Sequence, residues 1–231
     1  TPVRCLKFGT KPVSPPSPRL DIMTITTPPP RYRLEIPEVA SKKIDQDHGA
    51  GHRLLMALLP DGALDGASPR QAAGLLWAKT KPTELLVSSR FELSPTKDIT
   101  IHPADSNPPE GGRFYLLHTT LETTYTPAAW VPEEIWNMPN RPPIHGKRVP
   151  VPQNSIEQWI IDKLERSGFE ATNLESVSPR RMRVRKHTIP VAEITAEVTV
   201  TDEKSALSAY NDGFGRAKNF GCGLLQLRTL A

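Results

Sequence analysis

Four glycines near the C-terminal end constrain the fold of this chain more than any other feature of the sequence. Residues 213–223 read GFGRAKNFGCG, so that Gly213, Gly215, Gly221 and Gly223 bracket two cations. Glycine tolerates a positive φ and allows a second backbone to approach closely. A helix-like stretch precedes this segment, and an apolar, alternating, strand-like tail follows it. We therefore predict a glycine-rich turn near the end of a compact α+β unit.

The same turn is a candidate binding site for phosphate. Arg216 and Lys218 lie among backbone amides that the glycines leave exposed, which favours an anion. Lys218 occupies the place of the third glycine of a dinucleotide-binding fingerprint, and the Gly-Lys-Ser/Thr of a P-loop is missing. We predict that Gly213, Gly215, Arg216 and Lys218 shape a phosphate seat. A glycine-rich connection that serves only turn geometry is an equal alternative.

Length and composition set wide limits on the domain organisation. A chain of 231 residues holds one large domain or two small ones, and 37% hydrophobic residues suffice for a core. The 25 prolines cluster before residue 38 and again over 103–152. We predict a disordered leader over 1–30 and a loop-rich connection in the second cluster. Residues 1–22 match no known targeting signal, and Met23 is a candidate start.

Charge and cysteine usage favour an intracellular protein without a metal or cofactor. The net charge of +4 allows an anionic partner without requiring one. Cys5 and Cys222 provide neither a disulfide framework nor the spacing of a metal site, which is typical of a reducing compartment. No apolar run reaches membrane-spanning length, and the N-terminus lacks the apolar stretch of a signal peptide. We predict a cytoplasmic location and no membrane contact.

Hydrophobic periodicity predicts two successive units of the same type. In the first half, a leucine stripe predicts a helix that begins at His52 and stops at Pro60, after the polar run 41–47. The other elements of that half are strands at 31–36, 74–79 and 84–93 and a short helix near 94–101. In the second half, a capping box of Ser155 and Gln158 begins one helix, and Asp202 caps another. The strands of that half are predicted at 113–125, 171–177, 180–187, 193–200 and 222–227.

Both halves follow the element order of a βαββαβ ferredoxin-like domain. We therefore predict an α+β fold of tandem ferredoxin-like (RRM-like) domains. The first domain is predicted over 31–101 and the second, which contains the glycine-rich loop, over 113–231, with a linker at 102–112.

An arginine ladder is the second candidate site. Residues 180–187 read RRMRVRKH, so a strand would carry Arg181, Arg183 and Arg185 on one face and two apolar residues on the other. Together with Lys186, these guanidinium groups match the geometry of nucleic-acid phosphates. The alternative is a charged edge strand that prevents pairing between sheets.

His52 is the candidate for proton transfer. An imidazole titrates near neutral pH, and the start of a helix attracts a nearby phosphate. The alternative is a solvated histidine or a partner for the backbone at the helix start. His48 carries the same ambiguity, and the two histidines alone have no third ligand with metal-site spacing.

Four segments together resemble the CasE family, in matching order from His52 to the C-terminus. They read HRLLMALLPDG, LLWAKTKPTELLVSS, GKRVPVPQNSIEQWIIDKLERSGFEA and GFGRAKNFGCGLLQL. CasE is the CRISPR RNA-processing endoribonuclease of the type I-E Cascade complex. The resemblance implies tandem ferredoxin-like domains and metal-independent cleavage of the repeat in precursor CRISPR RNA, 3′ of a stem-loop. It also implies attack by the RNA's own 2′-hydroxyl, which leaves a 2′,3′-cyclic phosphate and a 5′-hydroxyl.

The resemblance also assigns roles to residues and partners. His52 matches the family histidine that takes part in proton transfer, and 213–223 matches the family's glycine-rich loop. The implied partners are the repeat stem-loop and other Cascade subunits. Some members carry a tyrosine three residues before the histidine, where this chain has Gly49. A non-catalytic RNA-hairpin-binding or scaffold subunit of the same fold is the alternative.

Overall fold

The computed structural model describes residues 27–60, 73–126 and 148–230, and these form two four-stranded sheets flanked by helices and one short two-stranded sheet. Their helices are α1 (Glu38–Gln46), α2 (His48–Met56), α3 (Ile156–Glu165) and α4 (Glu203–Asp212), with 3₁₀ turns at Gln153–Ser155 and Lys218–Phe220. Their strands are β1 (Arg31–Glu35), β2 (Leu76–Lys81), β3 (Glu84–Ser88), β4 (Thr100–Ala104), β5 (Phe114–Glu122), β6 (Thr124–Tyr125), β7 (Val149–Pro150), β8 (Phe169–Val184), β9 (His187–Val200) and β10 (Gln226–Thr229).

Each half of the chain contributes one four-stranded antiparallel sheet. The strand order is β2-β3-β1-β4 in the first sheet and β10-β5-β9-β8 in the second. In both sheets the first and third strands of the unit form the central pair, and the second and fourth strands form the edges. This is the arrangement of a βαββαβ ferredoxin-like domain. The prediction of an α+β fold with tandem ferredoxin-like domains is confirmed.

The first domain departs from the prediction around its helices. The polar run 41–47, predicted as a connection, lies almost entirely in α1, because Ile44 is fully buried and its polar neighbours face outward. The second helix begins at His48, so the prediction that His52 opens a helix is wrong. The predicted helix near 94–101 is also wrong, since residues 89–99 join β3 to β4 with only one bridge, between Thr96 and Ile99.

The connection between the domains packs on the second domain. Strand β4 pairs with β1 as far as Ala104, past residue 101, where we placed the end of the first domain. Asn107 then donates through Nδ2 to the carbonyl oxygen of Leu227 at 3.1 Å. Its backbone amide donates to the hydroxyl of Tyr210 at 3.0 Å. The predicted linker 102–112 is thus held by specific contacts over part of its length.

The second domain packs α3 and α4 on one face of its sheet, and two cap predictions for these helices have opposite outcomes. Asp202 caps α4 as predicted, since its Oδ1 accepts from Lys204 N and Ser205 N. The predicted capping box of Ser155 and Gln158 does not form, because a 3₁₀ turn precedes α3 and Ser155 makes no side-chain cap. The predicted leader lies outside the described residues except for 27–30, where Pro29 is buried.

Candidate functional site

Trp77 of β2 lies at the contact between the two domains. Its indole is buried, and its Nε1 donates to the carbonyl oxygen of Asn219 at 3.3 Å. The ring of His48 stacks on it, with centroids 6.1 Å apart. A Cβ added at Gly51 would lie 2.4 Å from the indole, and one added at Gly221 would lie 3.1 Å from it. The start of α2 and the glycine-rich turn therefore contact the same aromatic ring.

His48 links the first domain to the glycine-rich turn directly. Its Nδ1 lies 3.1 Å from the carbonyl oxygen of Phe220, which can only accept, so Nδ1 carries the hydrogen. Burial lowers the pKa of His48 and is the largest cause of its shift. Desolvation disfavours the imidazolium form, so the ring is held neutral near pH 7.

His52 follows His48 by one helical turn on α2 and is half-buried. Residues four apart in a helix lie on the same face. The two histidines therefore share one side of α2, next to the contact with the second domain. This arrangement brings the predicted proton-transfer group to the domain boundary.

The arginine ladder lies on the long hairpin of β8 and β9. Arg181 and Arg183 are exposed on β8, whereas Met182 and Val184 between them are buried, as the alternation predicts. Arg185 differs, because it lies in the turn between the strands with a φ of +54°. The favoured two-residue hairpin turns have a positive φ at their first central residue, here Arg185, so the ladder ends one step earlier than predicted.

The tip of this hairpin touches the start of α2. Arg185 and Lys186 form the turn, and the backbone amide of Arg185 donates to Oδ1 of Asp47 at 2.8 Å. Asp47 caps α2 through a bond from Gly49 N at 2.9 Å. The structure therefore brings the predicted cationic hairpin and the helix of His52 into direct contact.

The glycine-rich segment serves packing as well as turn geometry. Gly213 has a φ of +86°, and a Cβ there would lie 2.6 Å from Leu76 of the first domain. Arg216 is exposed, whereas Lys218 donates to the carbonyl oxygen of Asp212 at 2.6 Å, at the end of α4. A cleft of ≈ 380 Å³ opens beside this segment and is lined by Glu122, Ile189 and residues 216–220.

Sequence reasoning missed three residues around this site. Trp77 and Asp47 each make a contact between the domains, and no spacing rule pointed to either of them. Lys163 of α3 packs against Gly215, with its Nζ 5.3 Å from the ring centroid of Trp159. Burial is the main cause that lowers the pKa of Lys163, followed by nearby cations, the first of which is Arg166. Lys163 was not identified from the sequence because it lies beside the apolar stripe of α3. Long cationic side chains commonly pack along such apolar surface.

The remaining chemical groups of the described chain are less suited to reaction. Burial raises the pKa of the Cys222 thiol to about 12, which leaves it protonated at neutral pH. Residues 27–60, 73–126 and 148–230 contain no group of three or more His, Cys, Asp or Glu side chains arranged to hold a metal ion. No helix within those ranges is both long enough and apolar enough to cross a membrane.

The fold and the site together define a class of protein, a tandem ferredoxin-like chain with a basic hairpin and a glycine-rich turn at the domain boundary. The sequence model of a family described as CRISPR associated protein matches residues 30–229, nearly the whole chain. The protein belongs to this family. Among curated proteins, none matches the sequence significantly.

Solved structures share the fold. CRISPR endoribonuclease Cse3 bound to a 19 nt RNA has a TM-score of 0.68 at 18% identity, covering 87% of this chain and 100% of that one. Thermus thermophilus Cse3, bound to an RNA representing a pre-cleavage complex, gives the same score and coverage at 19% identity. Cas6e from Escherichia coli str. K-12 has a TM-score of 0.58 at 19% identity with the same coverage. The family model thus confirms the predicted CRISPR-associated family, and these structures confirm the fold that the resemblance implied.

Proposed function

We propose that this protein is a CRISPR RNA endoribonuclease. It cleaves the repeat of precursor CRISPR RNA on the 3′ side of a stem-loop and keeps the product in a cytoplasmic complex of the Cascade type. One observation carries the proposal, namely that α2, which bears His52, contacts the basic hairpin through Asp47 and the glycine-rich turn through His48. The similarity in fold to Cse3 bound to RNA and to a chain of a CRISPR RNA-guided surveillance complex supports it.

RNA binding falls to the cations of the second domain. Arg181, Arg183, Arg185 and Lys186 lie exposed along one end of the β8–β9 hairpin. A structured RNA hairpin is recognised largely through its shape and backbone, which suits a surface of guanidinium and ammonium groups. The flanking phosphate is proposed to lie in the seat that the turn of Gly213, Gly215, Arg216 and Lys218 shapes.

The reaction needs only RNA atoms and a proton carrier. The 2′-oxygen attacks the adjacent phosphorus as its proton leaves, and a new P–O bond closes the 2′,3′-cyclic phosphate. The bond from phosphorus to the 5′-oxygen breaks, and that oxygen leaves as a 5′-hydroxyl after it gains a proton. His52 acts as the general base or the general acid in this exchange, because a histidine imidazole can both accept and donate a proton. No step requires a metal ion.

The test uses labelled repeat RNA incubated with the protein in EDTA. We expect cleavage in the chelator and products that end in a 2′,3′-cyclic phosphate and a 5′-hydroxyl. A matched RNA with a single 2′-deoxyribose on the 5′ side of the mapped cleavage position should bind equally well and stay intact. Loss of cleavage in EDTA, or cleavage of the deoxy substrate, contradicts this mechanism.

A non-catalytic RNA-binding or scaffold subunit of the same fold is the second candidate. The observation that favours it is Gly49, which stands where some relatives of the CasE family carry a tyrosine. Under this alternative, the wild-type protein binds the repeat RNA with a strong dependence on salt but leaves it uncut under every condition. The same incubation therefore separates the two functions.

A further inference from the structure

Asp47 makes more contacts than the start of a helix requires. It lies between α1 and α2, with a quarter of its side chain exposed (25%). Its Oδ1 accepts from Gly49 N at 2.9 Å, which is the bond expected of a helix cap. Its Oδ2 accepts from Nη2 of Arg53 at 3.0 Å, within the same helix. These two interactions are local and stabilise the first turn of α2.

The third interaction of Asp47 reaches the other domain. The same Oδ1 accepts from the backbone amide of Arg185 at 2.8 Å, across 138 positions of sequence. This amide bond is also the largest cause that lowers the pKa of Asp47. A carboxylate that accepts from a backbone amide forms one of the stronger kinds of hydrogen bond. The contact therefore fixes the tip of the hairpin at a defined place on α2.

The backbone conformation at Arg185 is unfavourable for a residue that carries a side chain. A non-glycine residue with a positive φ is uncommon, and the φ of +54° at Arg185 is an unfavourable conformation. Such a conformation persists only when the surrounding structure holds it. The bond from its amide to Asp47 supports the turn of Arg185 and Lys186, whose side chains are exposed, as is that of Arg183 in the preceding strand β8.

We propose that Asp47 is a positioning residue, which holds the basic hairpin against α2 so that RNA bound by the hairpin is presented to His52. The inference rests on the proposed function for its activity readout. Its structural part, the dependence of the hairpin tip on Asp47, is independent of catalysis.

A second cap in the same chain separates positioning from helix capping. Asp202 caps α4 with its Oδ1, which accepts from Lys204 N at 3.1 Å and from Ser205 N at 3.2 Å. Its side-chain hydrogen bonds stay within the first turn of its own helix. Asp202→Ala thus removes a cap of the same kind without touching the hairpin, and it is the matched control for Asp47→Ala.

The experiment compares full-length wild type, Asp47→Ala, Asp47→Asn and Asp202→Ala. Amide hydrogen exchange at Arg185 and single-turnover cleavage, with the protein in saturating excess over the repeat RNA, are measured for each. In Asp47→Ala, exchange at Arg185 should rise and the cleavage rate should fall, each about tenfold or more, because a bond to a charged acceptor is lost. RNA affinity should change much less than the cleavage rate. Asp47→Asn keeps an oxygen acceptor and should restore both readouts to within a few-fold of wild type.

The results that overturn the proposal are specific. Unchanged exchange at Arg185 in Asp47→Ala shows that the contact does not hold the hairpin. An equal loss of cleavage in Asp202→Ala, or no rescue by Asp47→Asn, shows that only helix stability or charge matters. If wild type itself leaves RNA uncut, the proposed function fails, and exchange at Arg185 still decides whether Asp47 positions the hairpin.

Discussion

Trp77 and Gly51 pack so closely that no side chain fits between them. A Cβ at Gly51 would lie 2.4 Å from Cη2 of the indole, well inside van der Waals contact. Trp77 is 1% exposed, and its other contacts include the ring of His48 and the carbonyl oxygen of Asn219. Because Gly51 has no side chain, α2 packs directly on this indole and so lies close to the glycine-rich turn of the second domain.

Gly51→Ala should therefore destabilise the protein, although alanine is ordinarily the better residue in a helix. Replacing glycine by alanine in a helix interior is by itself stabilising by roughly 0.5–1 kcal/mol, whereas overpacking a core costs about 1–3 kcal/mol. We expect urea unfolding to show a net loss of about 1–2 kcal/mol. In a Trp77→Phe background the loss should shrink, because the smaller ring leaves room for the methyl group. A gain in stability from Gly51→Ala alone contradicts the packing described here.

His48 should make stability depend on pH. Burial lowers its pKa in the folded protein, so the unfolded chain takes up this proton at a higher pH than the folded chain does. The stabilising contribution of neutral His48 is present above the unfolded value of roughly 6.5 and is lost as pH falls through it. His48→Gln should reduce the decline in unfolding free energy below that pH. Identical profiles for wild type and His48→Gln would refute the assignment.

Each hairpin cation that contacts an RNA phosphate should contribute to the salt dependence of RNA binding. Each neutralised phosphate releases counterions, so Arg183→Ala should weaken binding of the repeat and lower the slope of log K against log salt by about 0.7–1. Arg113 pairs with Glu110 at 3.0 Å and lies beside Val200, at the end of β9 opposite the hairpin tip, so Arg113→Ala is the control. Equal slopes for wild type and Arg183→Ala would exclude phosphate contact by this arginine.

Cys222 should be chemically inert in the folded protein. Burial raises the pKa of its thiol to about 12, so almost no thiolate exists at pH 8. In a Cys5→Ser variant, iodoacetamide should leave the native protein unlabelled and should modify it rapidly in urea. Mass spectrometry gives the readout, and rapid labelling without denaturant would show that the thiol is accessible.

Most strands could be predicted from sequence because alternation reports directly which residues face the core, but β4 lies where a helix and a linker were predicted. In β9, Ile194, Ala196 and Val198 are buried while Glu193, Thr195 and Glu197 between them are partly exposed, as the pattern indicates. The bounds of the first-domain helices could not be predicted in the same way. Ser41 and Ile44 are the buried residues of α1, and one apolar residue in a polar run gives no periodic signal.

Only part of the candidate site could be predicted from the sequence. His52, the arginine ladder and the glycines carry patterns that residue types alone suggest. The contact between Asp47 and Arg185 joins distant residues through a backbone donor, and no side-chain pattern encodes such a donor. The left-handed turn at Arg185 was missed for a related reason, because the strand-like spacing of the arginines continues into it.

Single-turnover cleavage of repeat RNA by His52→Ala tests the central claim most directly, with His102→Ala as the matched histidine control and RNA affinity measured in parallel. His52→Ala should bind RNA within a few-fold of wild type and cleave it at least about 100-fold more slowly, since positioned proton transfer contributes that much or more. His102→Ala should cleave like wild type. Cleavage by His52→Ala at the wild-type rate would contradict the assignment of this histidine to proton transfer.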